Sequence, residues 1–132
     1  MKCIVVTPEA TILDVETTFV ALPLYDGEIG IGENHTPLVG RLGFGELRIH
    51  RDKDTTSFCV EGGFVEVLNN TVSLLTNRAV PSSSLNLEES RTELEEALKK
   101  TAVTEDQLKL KAENVAAARA QVRLAEKYAA KR

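Results

Sequence analysis

The distribution of glycine and proline divides this chain into two parts with different folding constraints. All eight glycines lie between Gly27 and Gly63, and the four prolines lie at or before Pro81. The 51 residues from Ser82 to Arg132 contain neither residue type. Glycine and proline are the residues that most disfavour a helix interior. The second part can therefore form long helices, whereas the first part suits short segments joined by tight turns.

The balance of acidic and basic side chains also changes near residue 84. Residues 1–84 carry 11 acidic and 6 basic side chains, whereas residues 85–132 carry 9 acidic and 10 basic ones. The whole chain has a formal net charge of −4, with 5% aromatic residues and no Trp. Nucleic-acid-binding proteins usually present a basic surface or stacking aromatic rings, so we expect no nucleic-acid partner. Hydrophobic residues, at 42%, suffice for a packed core.

The cysteines and the N-terminus set further limits. Cys3 and Cys59 both lie in apolar runs, and we expect buried thiols, with a disulfide only if their strands are neighbours. The cysteines and the two histidines have no metal-ligand spacing, so no metal site is predicted. The N-terminal apolar run ends at Thr7 and Pro8, too early for a signal peptide, and no run reaches the ~20 residues that span a bilayer. We expect a soluble protein that meets a membrane only through a partner.

Short segments rich in Val, Ile, Phe and Thr predict β-strands over the first 80 residues. The Asn69-Asn70 pair is typical of a tight hairpin, because Asn tolerates positive φ. Pro23 is expected to end the strand that begins near Glu16. The pattern indicates an antiparallel sandwich or barrel. The predicted segments are Cys3–Thr7, Glu16–Leu22, Glu46–Arg51, Thr55–Glu61, Gly63–Leu68 and Thr71–Thr76.

Closely spaced glycines occur twice within this β region. The stretch from Asp26 to Gly32 lacks the Gly-x-Gly-x-x-Gly order and no helix follows it, so it does not predict a dinucleotide-binding loop. In a β context, bulges and a close backbone approach explain such glycines better. The same interpretation applies to Gly62-Gly63.

Two helices are predicted after residue 85. Asn86 with Glu89, and Thr104 with Gln107, have the spacing of capping boxes at helix N-termini. We expect the first helix to end near Lys100. The second helix should run from about Glu105 to Ala130, with an apolar stripe of Leu108, Ala112, Val115, Val122, Ala125 and Ala129.

The second predicted helix is rich in alanine, which favours helix formation but buries little area. A two-helix hairpin that packs through such residues is marginal in isolation. Two alternatives stay open at this point. Either the helices are held weakly and can rearrange, or they are permanently docked.

No catalytic grouping stands out. Ser82–Ser84 is a linker-like run, and His35 lies in a turn with nothing nearby in sequence that would complete a triad. The acidic residues are scattered, and there is no P-loop. The residues by themselves favour a binding or coupling module over an enzyme.

A set of short motifs follows one order along nearly the whole chain. They are Val6-Thr7-Pro8-Glu9, Leu22-Pro23, Asp26–Ile31, His35–Leu38, Leu42 followed by Gly45-Glu46-Leu47, Gly62–Val67 and Val72–Leu75. The ordered set resembles the ε subunit of bacterial-type F₁Fₒ ATP synthase. The resemblance implies an α+β fold. It consists of an N-terminal antiparallel β-sandwich of about ten strands over residues 1–84, and a C-terminal antiparallel helix hairpin over residues 85–132.

The resemblance also implies a non-catalytic rotor subunit of the central stalk, which couples proton translocation to ATP synthesis. Its partners would be the γ subunit and the ring of c subunits, joined by the α and β subunits when the helices extend. Its place would be the F₁ sector, peripheral to the cytoplasmic side of the inner membrane. The family loop that faces the c ring corresponds to Asp26, Gly27 and Glu28. The alternative for Glu28 is an ordinary solvated turn carboxylate.

For the helix hairpin, the resemblance implies regulation of ATP hydrolysis. The hairpin would fold down on the sandwich or extend along γ into the α/β ring. Arg119, Arg123 and Lys127 recur at i, i+4 and i+8 and so lie on one helix face. They would meet acidic β-subunit surfaces in the extended state. The alternative is a solvated helix face.

No cofactor is expected, but some bacterial relatives bind ATP in the folded hairpin as a regulatory ligand. The corresponding residues here are Glu88 and Arg91 in the first helix and Arg119 and Arg123 in the second. Paired arginines suit phosphate contacts. The match is incomplete, because Glu88 stands in place of the Asp of that pattern and Thr92 in place of its Ala.

A function of another class stays open, namely a stand-alone small-ligand-binding β-domain with a helical lid. A deep apolar pocket with convergent polar groups would favour it. An exposed apolar patch on one face of the sandwich would instead favour the rotor subunit.

Overall fold

The computed structural model describes residues 1–129. Two compact units are present, one ending at Pro81 and the other beginning at Ser82. The first unit holds the strands and the second a short 3₁₀ helix and two α-helices, which confirms the α+β fold class. The elements are β1 (Lys2–Val6), β2 (Thr11–Glu16), β3 (Phe19–Leu24), β4 (Gly27–Gly32), β5 (Leu38–Arg41), β6 (Phe44–Arg51), β7 (Asp54–Glu61), β8 (Phe64–Leu68), β9 (Thr71–Leu75), β10 (Ala79–Pro81), the 3₁₀ helix (Ser82–Ser84), α1 (Leu87–Lys99) and α2 (Glu105–Ala129).

The strands form two five-stranded sheets around one apolar core. Sheet I has the order β2-β1-β9-β8-β5, and sheet II the order β10-β7-β6-β3-β4. In β8, Val65 and Val67 are buried whereas Phe64, Glu66 and Leu68 are exposed, as the two-residue period of a strand requires. Both sheets contribute to the core, which includes Cys3, Val5, Val20, Leu22, Ile31, Leu47, Ile49, Val60, Val65, Val67, Val72 and Leu74.

One strand pair runs parallel within this otherwise antiparallel sandwich. Strands β1 and β9 lie side by side, with Lys2 opposite Thr71 and Val6 opposite Leu75. Nearly the whole sandwich separates the two strands in sequence, so no tight hairpin joins them. An antiparallel arrangement is therefore not imposed on the pair.

The prediction that Pro23 ends a strand is wrong, because Pro23 lies inside β3. Its carbonyl accepts a hydrogen bond from Gly43 N at 2.9 Å. The Pro23 nitrogen faces the same edge, on which pairing with β6 has already ended at Ala21. The proline therefore removes no hydrogen bond from the sheet. Glu16 belongs to the preceding strand, β2, so the predicted segment joined parts of two strands.

Positive φ angles mark two turns that the sequence predicted. Asn69 and Asn70 have φ of 51° and 56° and form the β8–β9 hairpin. Gly63 has φ of 106°, and a Cβ there would collide with the Leu75 carbonyl and lie 2.8 Å from the Cα of Thr76. The tight hairpin and the close backbone approach at Gly62-Gly63 are both confirmed.

Strand β4 does not have the predicted bulge. It pairs residue by residue with β3, from Leu24 opposite Gly27 to Phe19 opposite Gly32. The ring of Phe19 lies so close to Gly30 that any side chain there would overlap it. Gly30 therefore makes room for an aromatic ring.

Both cysteines are buried and neither is part of a disulfide, as predicted. Cys3 lies in sheet I and Cys59 in sheet II, so they do not occupy neighbouring strands. Burial, helped by the nearby charge of Asp14, raises the pKa of Cys3 to about 12. The Cys3 thiol is therefore protonated at neutral pH and packs as a small apolar side chain.

Side-chain caps define both helix starts. The Asn86 side chain accepts a hydrogen bond from Glu89 N at 3.1 Å. Thr104 Oγ1 accepts one from Gln107 N at 3.1 Å, and Gln107 Oε1 accepts one from Thr104 N at 3.2 Å. The second pair is a complete capping box, which confirms the predicted start of α2. Ala130, the predicted end of this helix, lies outside the described residues.

The buried face of α2 differs from the predicted stripe. Leu108 is 52% exposed, and Ala112 and Ala129 are exposed as well, so the assignment is wrong for these three residues. Ala125 is buried as predicted, and Val115 and Val122 are half-buried. Alanine occurs on nearly every side of this helix and contrasts little with polar neighbours, so the sequence period does not define one face. The buried residues are Ala117, Ala118, Ala120, Gln121, Leu124 and Ala125.

Candidate docking site

The outer face of sheet I carries a continuous apolar row. Strands β1, β9 and β8 are neighbours, and their register places Val6 beside Leu75 and Leu75 beside Phe64. Phe64 and Leu75 are each 60% exposed. Cross-strand neighbours on one face lie about 5 Å apart. These three residues, called the apolar row below, therefore form one surface.

A surface groove of about 350 Å³ follows the apolar row. Among residues 1–129, no charged side chain lines this groove. Besides the row, it is bordered by Thr7, Pro8, Gly63, Thr76 and Asn77. An exposed apolar surface of this kind is typical of a protein-docking face.

Next to Phe64, the row is extended by a cation stacked on an aromatic ring. Arg41 stands opposite Phe64 in the β5–β8 register. Its guanidinium carbon lies 4.7 Å from the centre of the Tyr25 ring. Tyr25 N donates a hydrogen bond to the Arg41 carbonyl at 2.8 Å, which ties the β3–β4 turn to β5. Tyr25 is 70% exposed and Val39 is 75% exposed, so this end of the sandwich is also rich in accessible contact groups.

The predicted c-ring contact residues lie at the same turn. Asp26 and Gly27 follow Tyr25 directly, and both are exposed. Gly27 has φ of 141°, a backbone conformation that side chains disfavour. Glu28 is the second residue of β4, and its side chain is 53% exposed.

Glu28 belongs to a surface ion-pair network. Arg48 donates to Glu28 at 2.6 Å and to Glu46 at 3.1 Å. Ser57 Oγ donates to the other Glu46 oxygen at 2.6 Å. Burial acts to lower the pKa of Arg48, but the hydrogen bonds and charges of Glu28 and Glu46 outweigh it and raise that pKa overall. Arg48 of β6 therefore fixes the Glu28 side chain of β4 on the surface of sheet II.

The helix hairpin brings several predicted basic residues to one side of α2. Arg91 of α1 has its Nη2 atom 3.6 Å from Glu126 Oε1 of α2. Positions 119, 123 and 126 lie on one face of a helix. Arg91 therefore reaches the face that carries Arg119 and Arg123, with Glu126 as the carboxylate between the two helices.

The remaining two predicted hairpin residues have local contacts. Glu88 lies in the first turn of α1, and its backbone carbonyl accepts a hydrogen bond from Thr92 Oγ1 at 3.0 Å. The Lys127 ammonium lies 5.6 Å from the centre of the Tyr128 ring near the end of α2. Glu88 and Lys127 are both exposed.

The sequence interpretation missed the apolar row and the Tyr25–Arg41 pair. The row had a signal, because β8 carries Phe64 and Leu68 at positions that alternate with the buried Val65 and Val67. In such a strand one set of apolar residues packs in the core, and the other set lies on the outer face of the sheet. The Tyr25–Arg41 pair had no such signal, because only the tertiary structure brings the two residues together.

Two absences hold for residues 1–129. Within that range, no group of three or more His, Cys, Asp or Glu side chains is arranged to hold a metal ion. In the same part of the chain, neither helix combines the length and the apolar character needed to cross a membrane.

Comparisons with known proteins point to one family. The family described as "ATP synthase, Delta/Epsilon chain, beta-sandwich domain" matches residues 1–82. The chain is 42% identical over 123 residues to the ATP synthase epsilon chain of Rhodopirellula baltica, an alignment that covers 93% of this chain and 96% of that protein.

Two solved structures share the fold at low sequence identity. One is a chain from the OSCP/F1/c-ring assembly of the Euglena gracilis mitochondrial ATP synthase in rotational state 1, with a TM-score of 0.78 and 22% identity over 89% of this chain and 76% of that chain. The other comes from the central stalk and c-ring of the Tetrahymena thermophila mitochondrial ATP synthase, with a TM-score of 0.71 and 16% identity over 96% of this chain and 94% of that chain.

Proposed function

Because this chain belongs to the ATP synthase epsilon-chain family, we propose that it is a non-catalytic rotor subunit that docks on the γ subunit and on the c ring. In this position it helps to couple proton translocation to ATP synthesis. It lies in the F₁ sector at the cytoplasmic side of the inner membrane, peripheral and held by its partners.

The exposed apolar row is the observation that carries the docking part of this proposal. Monomeric proteins rarely expose contiguous apolar patches without a partner. The row and its uncharged groove suit a protein surface such as γ. The Asp26–Glu28 turn, assigned to the c ring, is joined to the row through Tyr25 and Arg41. One end of the sandwich can thus touch the stalk and the ring together.

Binding to γ tests the proposal directly. The purified protein and the γ subunit of the same synthase would be mixed and separated by size-exclusion chromatography at several salt concentrations. We expect them to co-elute. Separate elution under all conditions would contradict the rotor assignment and would favour the alternative of a small-ligand-binding domain.

We assign regulation of ATP hydrolysis to the helix hairpin, through the exposed Arg119 and Arg123. In the assembled complex, replacing both arginines by alanine should raise ATP hydrolysis roughly three- to tenfold, because two exposed charge contacts contribute about 0.3–0.7 kcal/mol each. The steady-state hydrolysis rate measures this effect. The matched control is Arg51→Ala, an exposed arginine at the end of β6, which should leave the rate unchanged. An unchanged rate in the double variant would contradict the assignment.

For ATP as a regulatory ligand, we propose that the phosphates compete with Glu126 for Arg91. The two groups stand 3.6 Å apart, so the Glu126 carboxylate and a phosphate would compete for Arg91. In calorimetric titrations, Glu126→Gln should strengthen ATP binding about two- to fivefold, the size expected for removing an exposed ion pair. Arg91→Ala should weaken it, and Glu96→Gln on α1 serves as the charge-matched control. No heat at millimolar ATP in either the wild type or Glu126→Gln would remove the nucleotide proposal.

A further inference from the structure

Arg41 is an exposed cation beside the apolar row. Within residues 1–129 the structure shows no ion pair for its guanidinium. The nearest acids by register and sequence are Glu66, which stands opposite Val39, and Asp26, which follows Tyr25. The Arg41 guanidinium carbon lies over the face of the Tyr25 ring, 4.7 Å from its centre.

Contact with an aromatic ring prepares an arginine to bind a carboxylate. The attraction is between the guanidinium charge and the face of the ring, and it leaves N–H donors of the guanidinium available for a second partner. It also restricts the long side chain before binding, which reduces the entropy lost when a contact forms. Tyrosine and arginine are the residue types enriched among those that dominate binding at protein interfaces.

The position of Arg41 specifies the arrangement of groups on the partner. The strand register aligns one residue from each of four adjacent strands, in the order Arg41, Phe64, Leu75 and Val6. Neighbouring strands lie about 4.8 Å apart, so this line is about 15 Å long. Three of its four positions are apolar, and the single charge lies at one end.

We infer that the Tyr25–Arg41 pair determines specificity at the docking face, and that the partner presents an apolar segment with an Asp or Glu carboxylate at one end, which Arg41 binds. The inference rests on the proposed function, because it assumes that the apolar row meets the γ subunit. To the proposed docking on γ, the inference adds two properties of the γ segment: the chemical groups that make the contact and the direction in which the segment crosses the sheet.

Charge reversal tests the inference. Arg41→Glu should weaken the binding of γ at least tenfold, because it replaces an attraction at the interface by a repulsion between like charges. It should also remove part of the salt dependence of the dissociation constant. Arg51→Glu introduces the same charge change in sheet II and should leave binding within twofold. Tyr25→Phe keeps the ring and should bind like the wild type, whereas Tyr25→Ala should bind more weakly.

A zero-length cross-link locates the carboxylate. Arg41→Lys places a primary amine at this position, and a carbodiimide joins an amine to a carboxylate in direct contact as an amide. We expect a cross-link between the introduced amine and an Asp or Glu of γ, identified by mass spectrometry of the digested complex. The wild-type complex should lack that linkage.

The possible outcomes separate the inference from the function on which it rests. If Arg41→Glu binds γ like the wild type and Arg41→Lys gives no cross-link, while Phe64→Glu abolishes binding, the inference is overturned and the docking face stands. If the wild type itself does not bind γ, the proposed function fails. If binding survives both Arg41→Glu and Phe64→Glu, the apolar row is not the interface and the inference falls with it.

Discussion

A Phe64→Glu variant is expected to lose at least about thirtyfold in affinity for the γ subunit, since a central contact at an interface is typically worth 2 kcal/mol or more. Phe64 is the aromatic residue of the apolar row and lies between Arg41 and Leu75. Docking would bury the introduced carboxylate beside Leu75, and its attraction to Arg41, which stands opposite, would compete with the partner for that cation. Titration of γ with each variant, followed by a binding isotherm, measures the change.

The variant should remain folded, so the loss can be assigned to the interface. Phe64 is 60% exposed, and Glu66 already occupies the same face of β8. Phe19→Glu is the matched control, because Phe19 is a partly exposed phenylalanine of sheet II. Both variants are checked by thermal unfolding. If Phe64→Glu binds normally while it stays folded, the outer face of sheet I is not the docking surface.

A Gly63→Ala variant should be strongly destabilised, by at least about 3 kcal/mol, because it combines a disfavoured backbone conformation with a steric clash. Gly63 has φ of 106°, and a methyl group there would overlap the Leu75 carbonyl. The groups that the methyl would meet, the Leu75 carbonyl and the Thr76 Cα, belong to the backbone, so no side-chain rotation relieves the overlap. At about 4–8 °C per kcal/mol for a domain of this size, Tm should fall by 12 °C or more.

Gly32→Ala is the control for Gly63→Ala. A Cβ at Gly32 meets no atom within 4 Å, and the position does not have a strained positive φ. We expect the free energy of unfolding to change by less than about 1 kcal/mol. Equal effects of the two substitutions would show that the tight turn at Gly63 does not limit stability.

Local chemistry explains why much of the fold could be predicted. The capping pairs Asn86–Glu89 and Thr104–Gln107 act over three residues, so a short sequence contains all the information they need. The Asn69-Asn70 turn is equally local. Pro23 was misassigned because its effect depends on which neighbouring strand faces its nitrogen. The alanine-rich face of α2 was misassigned because small residues give a weak periodic signal.

The candidate site could be predicted only in part. The turn at Asp26, Gly27 and Glu28 could be identified from its motif. The ion pair of Glu28 with Arg48, 20 residues away, depends on the pairing of β3 with both β4 and β6. The hairpin arginines could likewise be identified, but the contact between Arg91 and Glu126 requires the two helices to pack.

The sequence by itself determined the division into a glycine- and proline-containing β part and a helical part, the helix caps and the tight turns, because each depends on the conformational preferences of a few consecutive residues. The tertiary structure decided which exposed groups become neighbours. Strand register aligned Val6, Leu75 and Phe64, and the β3–β4 turn placed Tyr25 under Arg41. These contacts depend on hydrogen-bonded pairing between strands distant in sequence, which no local preference specifies.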